Sequence, residues 1–522
     1  RTGGPGQPVK LYMRGAEPRQ TMVLIDGVSL RSPNDSDGYA LGGLSTANVE
    51  RIEILRGAQS SLYGPDAAGG VINVVTKRGR GKPTGAFSVE GGSMDSLRGT
   101  WTASGAKHRL GYSMVVDHYE TDGVSAARSG TENDAYQNDY LQGRFDYQLS
   151  EDSRLSFFGF QTDAVSNADI AAMVDGNYQT KEKSYALRSQ WESVPEEDSS
   201  RFIIGMSRKG FHSSDGFGSH YRGFSTELDL RTMTELSDRL SLGFGLEHAD
   251  DQGKSNLAQD VAMQMTGGYL DGHFQVAEDF ITSIAVRYDD NDRYGSETTG
   301  KAAFSKSWGG WRTFGSVGTF FTAPNAFYYS WASDPFTLEP ESGVGRDFGL
   351  ERSWLEDRAR TTVTWFDRDT NKEFNWFNLK VVNADVRVQG VEGEMDLALS
   401  ESLGVDLAFT LQDTRDVDQN RDLYSRPEKM LSGGFDWRSP DDVLGLHLNF
   451  RYVGERSDVG DQVSPSFIAW NMTTIVVPRE NWDIHLRIEN MFDQDYSEMV
   501  DWGGEPYGSI GRSAYLGVTW RY

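Results

Sequence analysis

The sequence of 522 residues contains no cysteine, and no uninterrupted apolar run reaches the roughly 18 residues of a membrane-spanning helix. The first absence excludes disulfide scaffolds and thiolate metal sites, and the second excludes helical channels and transporters. Basic residues are also scarce, since 51 Lys and Arg face 77 Asp and Glu, for a net charge of −26. We therefore expect no nucleic-acid partner, because the chain lacks the surplus cations that neutralise phosphates.

A strict alternation of apolar and polar residues is present instead, from about residue 84 to the C terminus. Residues 141–149, 240–246, 405–411, 444–452 and 514–522 each carry large apolar side chains at every second position, with few exceptions. A period of two indicates β-strands whose two faces meet different surroundings. A soluble sandwich rarely sustains this pattern over most of a chain this long, so we favour a membrane barrel.

Short polar turns recur along the alternating region and set the number of strands. Ten turns joining long hairpins imply eleven hairpins, which is 22 strands. Between them lie longer irregular stretches, for which we expect loops at 121–138, 164–183 and 413–428. Short turns at one end and long loops at the other are typical of outer-membrane barrels. The turns are predicted at Ala106-Lys107, Glu151-Asp152, Glu196-Glu197, Ser237-Asp238, Ala277-Glu278, Trp308-Gly309, Glu356-Asp357, Ser400-Glu401, Asp441-Asp442 and Arg479-Glu480.

The predicted fold class is an all-β membrane barrel of about 22 antiparallel strands, closed around a small N-terminal α/β plug domain. Closure is required because an open sheet edge in hydrocarbon leaves backbone groups unpaired. A lumen of this width must be an open pore or be filled. Residues 1–82 contain short strand patterns at 23–28, 49–56 and 71–76, so we predict a plug domain at 1–82 and the barrel at 83–522.

Several segments resemble a known family. Residues 49–79, VERIEILRGAQSSLYGPDAAGGVINVVTKRG, and 23–28, VLIDGV, are similar to the plug signature of TonB-dependent outer-membrane transporters. Segments 321–325 and 338–342 resemble two mid-barrel motifs of that family, and 489–496 resembles its penultimate-hairpin motif. The resemblance implies a bacterial outer-membrane location of the Gram-negative type, contact with outer-membrane lipid and lipopolysaccharide, and active import of a scarce, large small-molecule nutrient.

The resemblance also implies a periplasmic energy transducer of the TonB type as a partner. The segment that contacts this transducer lies N-terminal to the matching region in the family, and this sequence begins at Arg1, inside the plug. We expect a trimmed N terminus. The alternative is a structural or docking barrel that has lost energised transport, and a passive channel is a further alternative.

Within the family, several loops are most similar to those of the cobalamin receptors. Residues 117–127, DHYETDGVSAA, together with 131–134 and 163–169, resemble the loops that bind calcium in those receptors. By this match, Glu132, Asp134 and Asp169 are predicted calcium ligands, as part of a structural Ca²⁺ site in extracellular loops. Cobalamin or a related corrinoid is thus the first substrate hypothesis. A ferric siderophore or haem remains the alternative, and a surface lipoprotein is a further candidate partner.

Charges in the plug signature suggest how the plug is held. Arg51, Glu53 and Arg56 alternate along a strand that should lie in a polar lumen, so we predict ion pairs between plug and barrel. Such pairs contribute little net stability, because desolvation opposes attraction, and this suits a plug that must move. Ordinary lumen-facing charge is the alternative.

A polar, turn-rich segment at 31–39 is the candidate apex of the plug, facing the substrate. Ser32, Asn34 and Tyr39 are its predicted substrate contacts, with a plain solvated loop as the alternative. Nothing in the sequence predicts an enzyme: the eight His residues are scattered without an HExxH pair, and no nucleophile–base constellation is evident. We expect no catalytic residues and no catalytic cofactor.

Overall fold

The computed structural model describes residues 3–33, 41–169, 172, 176, 178–195, 199–331, 338–377, 380–459, 462–501 and 504–522. In this part of the chain, no helix is long and apolar enough to cross a membrane. The two α-helices are short, and almost all of the regular structure is strand.

A small sheet of four strands lies near the N terminus, in the order β2-β1-β4-β3. Its elements are β1 (Thr21–Ile25), β2 (Val28–Ser29), β3 (Val49–Arg56), β4 (Gly70–Thr76) and α1 (Ser60–Tyr63), with 3₁₀ turns at Pro18–Gln20 and Leu41–Gly43. Asp26 and Gly27 both have positive φ and close the β1–β2 hairpin. The central pair β1 and β4 is parallel, and strand β3 forms one edge.

The remaining strands follow in chain order. They are β5 (Thr84–Gly92), β6 (Ser96–Lys107), β7 (Leu110–Thr121), β8 (Tyr136–Gln148), β9 (Ser153–Ala168), β10 (Tyr178–Ser193), β11 (Ser200–Ser214), β12 (His220–Ser237), β13 (Leu240–Ser255), β14 (Val261–Ala277), β15 (Phe280–Asn291), β16 (Gly295–Trp308), β17 (Trp311–Thr322), β18 (Glu341–Trp354), β19 (Ala359–Phe377), β20 (Lys380–Ser400), β21 (Leu403–Asp416), β22 (Arg421–Asp422), β23 (Lys429–Arg438), β24 (Leu444–Val453), β25 (Arg456–Asp458), β26 (Gln462–Ser464), β27 (Phe467–Arg479), β28 (Trp482–Glu489) and β29 (Ser513–Arg521). Helix α2 (Ala326–Trp331) precedes β18.

These strands close into one antiparallel barrel, because β29 pairs with β5. Strand β22 is a two-residue extension beside β21, and β25 and β26 form a separate hairpin, which leaves 22 strands in the wall. The predicted fold class and strand number are confirmed. Closure leaves no free edge in the wall, as the hydrocarbon requires.

The two ends of the barrel differ as predicted. Nine of the ten predicted turns lie within a few residues of short connections, and the tenth, at Glu196-Glu197, falls outside the described residues. The long connections lie at the opposite end, which is therefore the extracellular end. The loop expected at 164–183 is too long, however, since β9 continues to Ala168 and β10 begins at Tyr178. The ends of these two strands are rich in polar residues on both faces, so the apolar–polar alternation that predicts a strand is missing from residues that are nevertheless in strands.

The wall has two chemically different faces. Apolar side chains such as Leu187, Leu270 and Leu516 point outward and are more than half exposed. Charged and polar side chains such as Arg188 and Gln142 point inward and are buried. The alternation therefore separates a lipid-facing surface from a polar lumen.

The N-terminal sheet sits inside this lumen, since its residues contact the wall on several sides. Asp26 pairs with Arg144 of β8 at 3.0 Å, and Ser113 of β7 donates a hydrogen bond to Asn48 at 2.8 Å. On another side, Lys301 of β16 donates to Gln59 at 3.0 Å. We call residues 3–76 the plug from here on.

Candidate functional site

A buried ionic cluster fastens the plug to strands β18 and β19. Glu341, fully buried at the start of β18, accepts hydrogen bonds from Arg19 at 2.6 Å and from Gln20 at 2.6 Å. Gln20 also donates to Glu373 at 3.0 Å, and the backbone N–H of Phe374 donates to Glu341 at 2.8 Å. Because Glu341 belongs to the segment 338–342, that motif supplies the plug's deepest anchor on the wall.

A second cluster joins the plug to β20. Arg14 donates to Glu392 at 3.1 Å, and Arg56 pairs with Glu394 at 2.6 Å and with Glu392 at 3.7 Å. Arg56 is thus placed between plug and barrel, as expected from the sequence.

Gly70, whose φ is +147°, passes so close to β3 that a Cβ would lie 2.2 Å from the carbonyl oxygen of Leu55.

Arg51 and Glu53 differ from the expectation. Arg51 pairs with Glu53 at 2.7 Å and with Glu50 at 3.7 Å, and Glu53 accepts a further hydrogen bond from Asn73 at 2.9 Å. All of these residues belong to the plug, so the ion pairs described for Arg51 and Glu53 lie within the plug sheet. The reason is geometric, since residues two apart on a strand share a face and the edge strand β3 leaves them exposed to the lumen.

A third contact comes from the extracellular connection before β23. Arg426 pairs with Glu17 at 2.5 Å, donates to the carbonyl oxygen of Gly15 at 3.1 Å, and lies 4.0 Å from the ring centre of Tyr12. Desolvation raises the pKa of Glu17, but attraction to Arg426 and Arg19 outweighs it and lowers that pKa to about 2. Glu17 is therefore ionised at every physiological pH.

The other mid-barrel segment, 321–325, contacts the plug through its backbone. The N–H of Asp66 donates to the carbonyl oxygen of Phe321 at 3.2 Å, and the N–H of Ala323 donates to the carboxylate of Asp66 at 3.2 Å. Arg31 pairs with Asp66 and donates to the carbonyl oxygen of Ala323 at 3.1 Å. This arrangement connects the candidate apex segment to the wall.

Space remains between the plug and the wall formed by β10–β15. A cavity of about 360 Å³ is lined there by plug residues such as Met22 and Tyr63 and by wall residues such as Met233, Met265 and Tyr269. The clusters around Glu341 and Glu392 lie on β18–β20, outside this stretch of wall. The plug is therefore held by charge on one side and bordered by a cavity on another.

Glu132, Asp134 and Asp169 come together at the extracellular end, although two different loops supply them. One carboxylate oxygen of each lies within 4.8 Å of the others. The N–H of Ala126 donates to Asp134 at 2.7 Å, and the N–H of Gly176 donates to Asp169 at 3.0 Å. The sequence match thus named three residues that the fold brings into one group.

This group has the donor chemistry of a hard-cation site. Oε1 of Glu132 and Oδ1 of Asp134 are buried and have no hydrogen-bond partner among the described residues. Desolvation, with repulsion from Asp169, raises the pKa of Asp134 to about 6. A divalent cation would satisfy both orphan oxygens, and Ca²⁺ prefers such oxygen ligands. The residues therefore fit calcium, with further ligands to come from backbone or water.

The same region connects several loops to the start of the plug. Gln7 donates to the carbonyl oxygen of Asn167 at 2.8 Å, Ala127 and Tyr507 form an isolated β-bridge, and Asp501 accepts from the N–H of Ala172 at 3.1 Å. Occupancy of the carboxylate group would thus affect the loops after β7, β9 and β28 together.

The predicted apex residues are only partly described. Ser32 is buried, near β9–β11 of the wall, in a narrow cleft lined also by Phe160 and Tyr185. Asn34 and Tyr39 lie outside the described residues. Substrate contact by these three residues stays a prediction.

A second cavity, of about 370 Å³, lies between the start of the plug and strands β21–β27. Its lining includes four cationic side chains, the carboxylate of Glu498 and several aromatic rings. Nη1 of Arg456 is buried without a hydrogen-bond partner among the described residues. The cationic residues are Lys10, Arg426, Arg451 and Arg456. Carboxylates accompany three of these cations, since Arg426 pairs with Glu17, Arg451 with Glu498 and Arg456 with Asp458, so the cavity keeps only a small excess of positive charge beside its aromatic rings.

Sequence reasoning missed the strongest anchors of the plug. Arg19 and Gln20 lie more than 300 positions before Glu341 in the chain, so no local pattern joins them to it. The one available signal was segment 338–342, which resembles a family motif but does not reveal its partner. Arg426 carried no signal, since it sits in a polar loop with many other charges.

Comparison with known families agrees with this architecture. The profile described as "TonB-dependent Receptor Plug Domain" matches residues 1–71, and the one described as "TonB dependent receptor-like, beta-barrel" matches residues 82–491. The second match covers more than half of the chain.

Among curated relatives, the chain is 23% identical over 543 residues to the vitamin B12 transporter BtuB of Photobacterium profundum. It is 24% identical over 553 residues to that of Vibrio vulnificus. Each alignment covers 100% of this chain and 87% of the relative.

Among solved structures, the siderophore receptor PirA from Pseudomonas aeruginosa is similar, with a TM-score of 0.79 and 18% identity, covering 98% of this chain and 92% of that one. The ferripyoverdine receptor of the same organism, bound to ferripyoverdine, has a TM-score of 0.81 and 15% identity, covering 98% and 81%. At these identities the likeness concerns the fold alone.

Proposed function

Since this chain belongs to the family of TonB-dependent outer-membrane receptors, we propose that it imports cobalamin or a related corrinoid. The receptor lies in the outer membrane, and members of its family work with a TonB-type energy transducer and small-molecule substrates. The observation that carries the corrinoid proposal is similarity to two vitamin B12 transporters over the whole chain. The three carboxylates matched to the calcium-binding loops of cobalamin receptors support it, because they meet in space.

In the proposed cycle, the substrate binds at the extracellular end, among the long loops and the top of the plug. A pull transmitted from the periplasm then disturbs the plug. The contacts through Glu341, Glu392 and Arg426 hold the plug at rest. They can be broken and remade, since buried ion pairs combine strong attraction with a large desolvation penalty. No covalent step is needed, and the chain acts as a transporter.

We propose that Ca²⁺ orders the loops that form the substrate site. Glu132, Asp134 and Asp169 would hold it, and the ion would offset the repulsion among three carboxylates at one place. Their backbone partners Ala126 and Gly176 belong to the loops after β7 and β9, so calcium would fix these loops relative to one another.

A ferric siderophore is the second candidate substrate, and one observation favours it. The cavity lined by Lys10, Arg426, Arg451 and Arg456 also contains the carboxylate of Glu498, and its lining still carries more positive than negative charge in a chain whose net charge is −26. An anionic ferric chelate would be attracted to such a cavity, whereas a nearly neutral corrinoid would gain little from it. Haem carries two carboxylates and would be attracted to the same cavity, but less strongly than a more highly charged chelate.

The test is a binding titration on the purified receptor. Cyanocobalamin, ferric enterobactin and haemin are added separately, with and without calcium, and tryptophan fluorescence reports binding. We expect saturable binding of cyanocobalamin that weakens at least about tenfold without calcium. Saturable binding of ferric enterobactin, with no response to cyanocobalamin when calcium is present, would replace the first substrate by the second.

The carboxylates are tested in the same assay. Asp134→Asn with Asp169→Asn should abolish the calcium effect, because the cation loses two charged ligands. Asp122→Asn, an exposed residue of the same loop, is the matched control and should bind as the unaltered receptor does. Equal calcium responses in the two variants would remove the proposed ion site without touching the substrate proposal.

Energised transport is tested separately, by uptake into cells. Uptake that stops when the proton-motive force is collapsed supports the transporter. Binding that persists while uptake is absent in energised cells would favour the docking barrel.

A further inference from the structure

Arg368 of β19 is a buried cation whose role the contacts described so far do not explain. It is 6% exposed, and none of its three side-chain nitrogens has a hydrogen-bond partner among the described residues. Of the carboxylates around it, Glu373 attracts it most strongly, and Glu341 and Glu17 attract it less. A charged group that is buried and unsatisfied costs more free energy than a neutral one. Arg368 is therefore kept in the interface at a cost.

Strand parity places Arg368 on the lumen side of the barrel, beside the plug. The flanking residues Asp367 and Asp369 point to the outer face, where Arg346 pairs with them at 2.7 and 3.1 Å. Glu373 follows on the same strand after a β-bulge and is 1% exposed. Both Arg368 and Glu373 thus border the buried cluster around Glu341, which fastens the plug.

The charges of this cluster balance separately on the barrel and on the plug. The plug supplies Glu17 and Arg19, whose charged groups lie 3.6 Å apart. Apart from Lys10, a partly exposed cation at the edge of the cluster, each surface is neutral by itself. The barrel supplies two carboxylates and two guanidinium groups, all buried, from Glu341, Glu373, Arg368 and Arg426.

In the docked plug, two of these pairs run across the interface. Glu341 of the barrel pairs with Arg19 of the plug at 2.6 Å. Arg426 of the barrel pairs with Glu17 of the plug at 2.5 Å. Each pair joins one surface to the other, so both pairs are lost when the plug is withdrawn.

The other two charges of the barrel are not used in docking. Within the described part of the chain, Glu373 accepts a side-chain hydrogen bond from the neutral Gln20 at 3.0 Å and forms no ion pair. Arg368 forms no ion pair with a described residue either, and Arg426 repels it. The docked plug therefore keeps one carboxylate and one guanidinium of the barrel in reserve.

We propose that Arg368 is a reserve counter-ion that replaces Arg19 when the plug is displaced. Arg368 then pairs with the barrel carboxylates that Arg19 and Gln20 leave, and Arg19 turns to Glu17 on the plug. No charge is left unpaired on either surface, so the penalty for separating a buried ion pair is reduced. This role rests on the plug displacement proposed above, whichever substrate the receptor imports.

Planar-bilayer conductance of the receptor in rising urea tests this role, because a released plug opens the lumen to ions. Arg368→Met removes the reserve partner and, at rest, an unsatisfied buried charge. At the urea concentration that opens half of the unaltered receptors, we expect the ratio of open to closed barrels to fall about tenfold. Removal of Glu341 should raise the same ratio, so the sign of the effect sets Arg368 apart from the groups that hold the plug.

Two further variants serve as controls. Arg346→Met removes an arginine of the neighbouring strand β18 that points to the outer face, and the ratio should stay unchanged. Arg368→Lys keeps a cation at the same place and should behave as the unaltered receptor does. Heat-dependent gel mobility verifies that each variant keeps a closed barrel.

Salt separates partner exchange from the simple removal of a buried charge. In the released state the lumen is wet, so dissolved cations can neutralise the barrel carboxylates, whereas the buried cluster of the docked state is screened much less. The deficit of Arg368→Met should therefore shrink when KCl is raised from about 0.1 M to about 1 M. A ratio that rises or stays unchanged in Arg368→Met, an equal fall in Arg346→Met or Arg368→Lys, or a deficit that ignores salt would overturn the proposal. The assay contains neither substrate nor transducer, so a failure of the corrinoid proposal leaves its outcome unaffected.

Discussion

The plug meets two very different walls inside the same barrel. Along β18–β20 its cationic side chains enter buried carboxylate clusters, with Glu341 fully enclosed and Glu392 nearly so. Along β10–β15 a cavity of about 360 Å³ lies between part of the plug and the wall. The plug is thus anchored on one side and loosely bordered on the other. A passage opened by partial displacement would require the least disruption along the cavity side.

The difference predicts that substitutions on the anchored wall loosen the plug far more than substitutions on the cavity wall. Planar-bilayer conductance in rising urea reports plug release, because an unfolded plug opens the lumen to ions. The free energy of plug release falls linearly with urea concentration, so its value in water is the urea midpoint of conductance multiplied by the slope of that line.

The largest effect is expected for Glu341→Gln. The change removes the nearer of the two carboxylates that pair with the buried Arg19 and leaves only Glu17, at 3.6 Å, and breaking one partner of a buried pair typically costs about 3–5 kcal/mol. The urea midpoint of conductance should fall steeply. Glu339→Gln, an exposed residue of the same motif, is the control and should change the free energy by less than about 1 kcal/mol. Similar midpoints for the two variants would refute the anchor at Glu341.

A smaller effect is expected for Glu392→Gln, which weakens the contacts to Arg14 and Arg56. Loss of a hydrogen bond to a charged group costs about 1.5–3 kcal/mol. Glu394→Gln is the matched control on the same strand, and its carboxylate is 43% exposed, so its pair with Arg56 should contribute less than about 1 kcal/mol. An equal loss of free energy in both variants would show that the greater burial of Glu392 does not make its contacts stronger than those of Glu394.

A pH-dependent effect is expected from Glu17. Its pKa is lowered from 4.5 to about 2 in the folded receptor, so its contribution to plug docking is complete above about pH 4.5. That contribution is lost as the pH falls towards 2, because the unfolded plug then binds the proton first. The difference in urea midpoint between the receptor and its Glu17→Gln variant should therefore shrink over this interval. A constant difference would argue against an ionised Glu17 paired with Arg426.

The smallest effect is expected on the cavity wall. Met233 lines the cavity and is 44% exposed, so Met233→Gln should change the free energy of plug release by less than about 0.5 kcal/mol. The same conductance assay measures it. A fall as large as that of Glu392→Gln would mean that the two walls hold the plug equally.

Part of the candidate site could be predicted from the sequence, whereas the contacts that hold the plug mostly could not. Glu132, Asp134 and Asp169 were named through a family resemblance, and the fold gathers them within 4.8 Å. Arg51 and Glu53 were expected to reach the barrel but pair inside the plug, because local strand geometry satisfied them first. The partner of Glu341 could not be predicted, since it lies more than 300 residues away.

The barrel, its 22 strands, its two faces and the plug could all be predicted from the amino-acid order. Those properties follow from local periodicity and turn chemistry, which act over a few residues and repeat along the chain. Which wall holds the plug and which carboxylates meet are settled by the folded arrangement alone. Both properties depend on strand register and on barrel closure, which bring together residues far apart in the chain and cannot be read from the order of neighbouring residues.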